Sequence, residues 1–274
     1  MSKLVWDVLN ERVYELGVDH GVLYLNGTGS YDLSYVWNGL TSVQENPEGG
    51  ELTDQYADNI KYFSLQSTEK YKATVEAFTY PDAWGECDGS AEVSTGVYFG
   101  QQNRKSFGFS YRTKIGNAEE GQDVGYKLHL VYGCKAAPSS KNYETINDSP
   151  SAITFSWEID STPVSVDGYK PVSHIAIDST KVDATKLAQL EDLLYGTDAQ
   201  AEKPAVYKET EDTSPQPGKT YYTKSGDVYT EFTGSTFATG TTYYELVTPA
   251  VPAKEATVGR LPLPEEVKAL FTSN

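Results

Sequence analysis

The chain has 274 residues, of which 38% are hydrophobic and 22% charged, and a formal net charge of -17. That length can bury a sizeable core without disulfides or metals, and the composition is that of a folded domain. Charge of this sign and size repels nucleic-acid phosphates and anionic lipid headgroups, which excludes a tight DNA binder and a membrane-surface protein held by charge.

Aromatic usage is unusual, with 21 Tyr and 4 Trp against 1 Met. Tyr and Trp combine an apolar body with a polar tip, which suits pleated surfaces and protein–protein contacts. Only Cys87 and Cys134 carry thiols, and Met1-Ser2-Lys3-Leu4 opens on no apolar leader segment. The expectation is folding in a cytoplasm with both thiols reduced and buried. No stretch has the length of a membrane span.

Taken in chain order, strands are predicted near residues 18–25, 35–43 and 60–66. Between the second and third lies the acidic stretch 41–59, with Glu45, Glu48, Glu51, Asp54 and Asp58, no basic residue, and the breakers Pro47, Gly49 and Gly50. It reads as a long inter-strand loop that orders against a neighbouring subunit. Period-two alternation then recurs in four places: Tyr71, Ala73, Val75 and Ala77; Phe107, Phe109 and Tyr111; Tyr126, Leu128, Leu130, Tyr132 and Cys134; and Ile153, Phe155, Trp157 and Ile159. A short helical turn is expected around 80–86 and a further strand over 172–177. Strands with one apolar and one polar face define a β-sandwich or barrel. Two helices flank it. One is capped by Asp183, carries Leu187, Leu190 and Leu194 on a face, and stops at Gly196; the other opens at Pro264.

Composition shifts after Asp198 to a stretch rich in Thr, Pro, Gly and Tyr. Two similar units, Pro217-Gly218-Lys219-Thr220-Tyr221-Tyr222 and Thr239-Gly240-Thr241-Thr242-Tyr243-Tyr244, mark a small inserted β module. The organisation read from this is a core over 1–198, a module over 199–258 and a returning C-terminal segment over 259–274.

Catalytic chemistry has little to stand on. His20, His129 and His174 belong to no zinc-binding pattern, and no Cys-x-x-Cys, nucleophile elbow or phosphate loop occurs. Asp19-His20 is the best acid–base pair, but neighbours in a strand point to opposite faces. No catalytic residue, cofactor or metal is expected. Charge is uneven along the chain, because Arg104, Lys105, Arg112, Lys114, Lys127, Lys135 and Lys141 make one stretch basic.

Several uncommon strings occur in order: Glu15-Leu16-Gly17-Val18-Asp19-His20-Gly21, Trp37-Asn38-Gly39-Leu40-Thr41, Tyr56-Ala57-Asp58-Asn59-Ile60-Lys61-Tyr62, Glu86-Cys87-Asp88-Gly89-Ser90, Phe107-Gly108-Phe109-Ser110-Tyr111-Arg112-Thr113 and Ile177-Asp178-Ser179-Thr180-Lys181. Together they resemble the major tail protein of long, flexible-tailed phages and prophages of Gram-positive bacteria. The likeness runs through most of residues 4–197 and resumes at Arg260-Leu261-Pro262-Leu263-Pro264. It implies a tail-tube fold, a β-sandwich-like domain with a flanking helix that forms hexameric rings, stacked into a hollow tube in the virion. The partners it implies are other copies of the chain, a tape measure protein in the lumen, the tail terminator and the distal tail-tip proteins, with genome DNA passing through without tight binding. Assembly would take place in the host cytoplasm. The module departs from that pattern and is expected on the outside of the tube. The candidate ring-to-ring contact sets Glu45, Glu48, Glu51, Asp54 and Asp58 against a basic partner surface of Arg104, Lys105, Arg112, Lys114 and Lys127. A glycan-binding role for the Tyr-rich module is the second reading.

Overall fold

In the computed structural model, residues 4–6, 8, 12–146 and 148–272 are described. The chain forms two compact units, one made of the residues up to Gly196 and from Val258 onward, the other of Thr197–Thr257. Both are mainly β, and among the described residues no sheet is closed. Among the described residues no helix is long and apolar enough to cross a membrane.

The first unit contains β1 (Val13–Leu25), β2 (Leu33–Trp37), β3 (Leu40–Glu45), β4 (Leu52–Ala57), β5 (Ile60–Gln66), β6 (Lys72–Ala77), α1 (Trp84–Asp88), β7 (Ala91–Ser94), β8 (Val97–Phe99), β9 (Phe107–Asn117), β10 (Gly121–Ala136), β11 (Phe155–Ser161), β12 (His174–Asp178) and α2 (Ala184–Tyr195). Its principal sheet is antiparallel, in the order β2-β1-β9-β10-β11-β6-β3, with β12 also paired to β10. The single strand expected over 35–43 is two strands. Asn38-Gly39 breaks it, with Gly39 at φ 76, and carries the chain from one end of the sheet order to the other. The sheet thus curls around a tryptophan cluster. Trp37 and Trp84 lie 4.6 Å apart between ring centres, with Trp157 5.5 Å from Trp37 and 5.3 Å from Trp84.

The expectation of one apolar and one polar face holds on β6 and on β11, where Trp157 and Ile159 are buried while Glu158 and Asp160 are exposed. It fails over Gly21–Leu25 of β1, Phe107–Tyr111 of β9 and Leu128–Tyr132 of β10, where residues on both sides are buried. On one side Leu23, Leu25, Phe107, Phe109 and Val131 join the tryptophans. On the other, Val22, Tyr24, Leu128, Leu130 and Tyr132 meet Leu187, Leu190 and Leu194 of α2, together with Leu261 and Val267. The small residues of β9 explain the failure. Gly108 and Ser110 read as a polar face, yet a side-chain carbon at Gly108 would sit 2.3 Å from Leu261. Ser110 lies buried against the Tyr24 hydroxyl, which itself donates to the Leu194 carbonyl at 3.1 Å. These positions are small because the second layer packs on them, not because water does.

Cys134 is likewise misplaced by simple alternation. The register of β10 shifts between Val131 and Cys134, at Gly133 with φ 61. The bulge turns Cys134 from the side of Tyr132 to the side of Val131. It also lets β10 serve two partners, β12 along Lys127–Val131 and β11 along Cys134–Ala136.

Helix α2 forms as its sequence predicts. The Asp183 carboxylate accepts from the Thr185 and Lys186 amides at 2.9 and 3.0 Å, and its leucines are buried. Gly196 ends it at φ 80. The chain continues through β13 (Gly196–Thr197) into the second unit and returns by β18 (Thr257–Val258) to α3 (Pro264–Thr272).

The second unit holds β14 (Val206–Glu209), β15 (Tyr221–Ser225), β16 (Val228–Phe232) and β17 (Tyr243–Thr248) in the order β14-β17-β15-β16. The repeated sequence is a repeated structure. Each unit is a turn, closed by Lys219 N to Gln216 O and by Thr241 N to Ala238 O, with Gly218 at φ 83 and Gly240 at φ 84. Each then leads into a strand whose first tyrosine is buried and returns its hydroxyl to the start of the turn. Gln216 N donates to Tyr221 at 3.1 Å, and Ala238 N donates to Tyr243 at 2.9 Å.

Candidate functional site

The acidic stretch expected as a loop is a β-hairpin arm. The ladder of β3 and β6 extends through Asn46 N to Lys72 O and through reciprocal bonds between Glu48 and Lys70, and Ser67 N then donates to Glu51 O. From there β4 and β5 pair down to a turn in which Asp58 and Asn59 have φ 50 and 60. Two consecutive positive φ values are what a tight hairpin needs for its twist to match the strands, and Asp and Asn tolerate them. Gly49, taken as a breaker with Gly50, instead lets the two strands pass closely at the arm's root; a side-chain carbon there would lie 2.3 Å from Thr68 O.

The arm is apolar and uncovered. Leu52, Tyr56, Ile60, Tyr62, Phe63 and Leu65 are all exposed, Tyr56 by 69% and Tyr62 by 67%. The ladder puts Phe63 and Leu65 on one face and Leu52 and Tyr56 on the other, so large apolar side chains stand exposed on both faces. A second hairpin, β7–β8, does the same with Val93, Val97, Tyr98 and Phe99. Covering side chains of this size is worth about 1.5–3 kcal/mol each. An isolated two-stranded hairpin has little stability of its own.

The charges expected to pair between subunits are largely engaged within one. Glu48 meets Lys72 at 2.7 Å, and Asp54 meets Lys61 at 2.7 Å while accepting from Ser64 at 2.6 Å. Lys61 first and Ser64 second hold the Asp54 carboxyl below its usual range. On the basic side, Arg104 donates to Asp88 and to the Ala136 and Ala137 carbonyls, and Lys105 pairs with Glu86. Lys127 pairs with Glu15. Arg112 pairs with Asp19 at 3.2 Å and lies over the Tyr126 ring. Glu51, Asp58 and Lys114 carry no ion pair among the described residues. Most of the basic stretch therefore braces its own sheet.

Asp19 and His20, expected on opposite faces, share one. The register of β1 slips on both sides of Asp19, and His20 adopts φ 51. The pair then meets Arg112, which approaches His20 Nδ1 at 2.8 Å. Arg112 occupies both side chains.

The other two histidines meet inside the sheet. His129 and Tyr111 are cross-strand partners, and His174 sits opposite Val131. His129 stacks on Tyr111 at 4.6 Å and on His174 at 5.3 Å, with 2° between the planes in both pairs. His129 Nδ1 lies 3.1 Å from His174 Nε2. Glu45, at the end of β3, accepts from the Tyr111 hydroxyl at 2.8 Å and lies 3.6 Å from His174 and 3.9 Å from His129. Burial lowers the pKa of His129 to about 4, and it lowers that of His174 as well. Glu45 is still exposed, but its carboxylate turns toward the two histidines and Tyr111. No sequence motif joins residues 45, 129 and 174; only strand register does. This is the constellation with metal-ligand chemistry among the described residues.

No family model matches the chain, and no curated protein does either.

Proposed function

We propose that the protein is a structural subunit that polymerises with copies of itself, as the tube-forming major tail protein of a long, flexible-tailed phage. The observation that carries this reading is the β4–β5 arm, a hairpin rich in large apolar side chains on both faces that are exposed among the described residues. A surface of this kind marks a contact with another macromolecule. Open sheet edges at β2 and β3 add unpaired backbone groups that a neighbour can cap. In this reading the sandwich-like unit closes into a hexameric ring with its neighbours, and arms reach between rings. Head-to-tail contacts of this kind generate rings where they close and filaments where they do not. The net charge of -17 suits a conduit for DNA, because carboxylates gain no counterion release from phosphates and let the strand slide.

The alternative of glycan binding needs free tyrosine faces on the module. Tyr207 stacks on Tyr229 at 3.8 Å, with Tyr222 and Tyr244 packed edge-on beside them. Their ring faces are used within the sheet, so the assembly reading is the one adopted. Negative-stain microscopy of the concentrated full chain tests it. Annular particles or hollow tubes support it; uniformly globular particles at every concentration refute it.

A further inference from the structure

We propose that Glu45, His129 and His174 form a site for one divalent transition-metal ion, zinc or a close analogue, which ties the root of the arm to the sheet. Two imidazoles and a carboxylate suit zinc, cobalt or nickel, whereas magnesium and calcium select oxygen-only sets. Donor atoms around a tetrahedral zinc lie about 3.3 Å apart, given its bond lengths to nitrogen and oxygen. The donor separations here are 3.1, 3.6 and 3.9 Å. A small rotation of the Glu45 carboxylate closes the two longer gaps. Ion binding replaces the hydrogen bond between the rings, and the ring that donates it moves its proton to its other nitrogen.

The surroundings are those of a supported metal site, in which outer groups fix the ligands. The Thr113 hydroxyl meets His129 Nε2 at 3.2 Å, which turns Nδ1 toward the other donors. The Tyr111 hydroxyl holds Glu45. The Tyr71 hydroxyl is buried beside Glu45 and Tyr111, and its ring packs on His174 at 5.2 Å. Burial keeps both imidazoles neutral, the form that binds a metal. Three protein ligands leave a fourth position for water.

The ion would add a connection that the backbone lacks. Within the sheet, β3 is laddered only to β6, and β12 only to β10. A metal held by Glu45 from β3, His129 from β10 and His174 from β12 would cross-link β3 to β10 and β12, with which β3 shares no ladder, and fix the direction in which the arm leaves. The site does not depend on the phage reading.

The test is a titration of the chelator-treated full chain with Co2+, followed by Zn2+, in the presence of excess Mg2+ and Ca2+. One equivalent of Co2+ per chain should develop the visible bands of a tetrahedral site, Zn2+ should abolish them, and Zn2+ should raise the melting temperature. Glu45→Gln and His174→Gln, with fold checked by circular dichroism, should each weaken binding by about ten-fold or more. The proposal is overturned if wild type gives no saturable Co2+ signal, if Mg2+ or Ca2+ competes the ion away, or if folded variants bind as wild type does. The wild-type titration decides the matter even where a variant fails to fold.

Discussion

Strands β9 and β5 are both rich in large aromatic and apolar side chains and have opposite fates. Phe107, Phe109 and Tyr111 of β9 are buried, whereas Tyr62, Phe63 and Leu65 of β5 are exposed. The difference lies in what stands beside them. β9 has a strand on each edge and a packed layer on each face; β5 has one partner strand and no layer. An apolar strand pattern specifies what a strand can bury, and leaves open whether its own chain or another supplies the cover.

Substitutions in the two regions should therefore separate folding from assembly. Trp157→Ala, inside the curl of the sheet, should cost about 3–5 kcal/mol of subunit stability, measured by denaturant unfolding, because it leaves a cavity among packed rings. The double change Tyr62→Ser and Phe63→Ser should leave subunit stability within about 0.5 kcal/mol. It should raise the concentration needed for assembly by roughly a hundred-fold, read by sedimentation. Equal loss of stability from both changes would erase the distinction. Glu51→Gln with Asp58→Asn, which keeps a residue suited to the positive φ of the turn, should have a smaller effect, slowing assembly and reducing its salt dependence without preventing it, as rim charges do.

The smallest effect belongs to the module. Asp212 and Glu245 have lowered pKa values, Asp212 chiefly through the Tyr221 hydroxyl and Lys219, Glu245 chiefly through Thr210 and Lys219. A carboxyl depressed in the folded state contributes stability above its unfolded pKa and loses it as pH falls through the folded one. Acidification below the ordinary carboxylate range should thus loosen the module, seen in tyrosine fluorescence, and Asp212→Asn should shrink that step to the part that Glu245 contributes.

The parts of this fold that are legible in the sequence are those governed by local rules. Asp183, the leucine spacing and Gly196 define α2 because capping and helical periodicity need no distant partner. The turn units around Gly218 and Gly240 are legible for the same reason. What escapes is set by register. The bulge at Gly133 moves Cys134 across the sheet, and the slips around Asp19 bring it beside His20. The meeting of Glu45, His129 and His174 depends on three strand alignments at once. The arm was legible in part: Asp58-Asn59 between Tyr56 and Ile60 is a hairpin signal, obscured by the glycines and the run of acids before it.

The account rests on the arm being a contact surface, and hydrogen exchange over residues 52–66 measures this directly in dilute and in concentrated protein. Exchange should be fast in the dilute chain, where two strands protect only each other, and slow by orders of magnitude once the chain assembles. Identical exchange in both states, with assembly verified in the same samples, would contradict it.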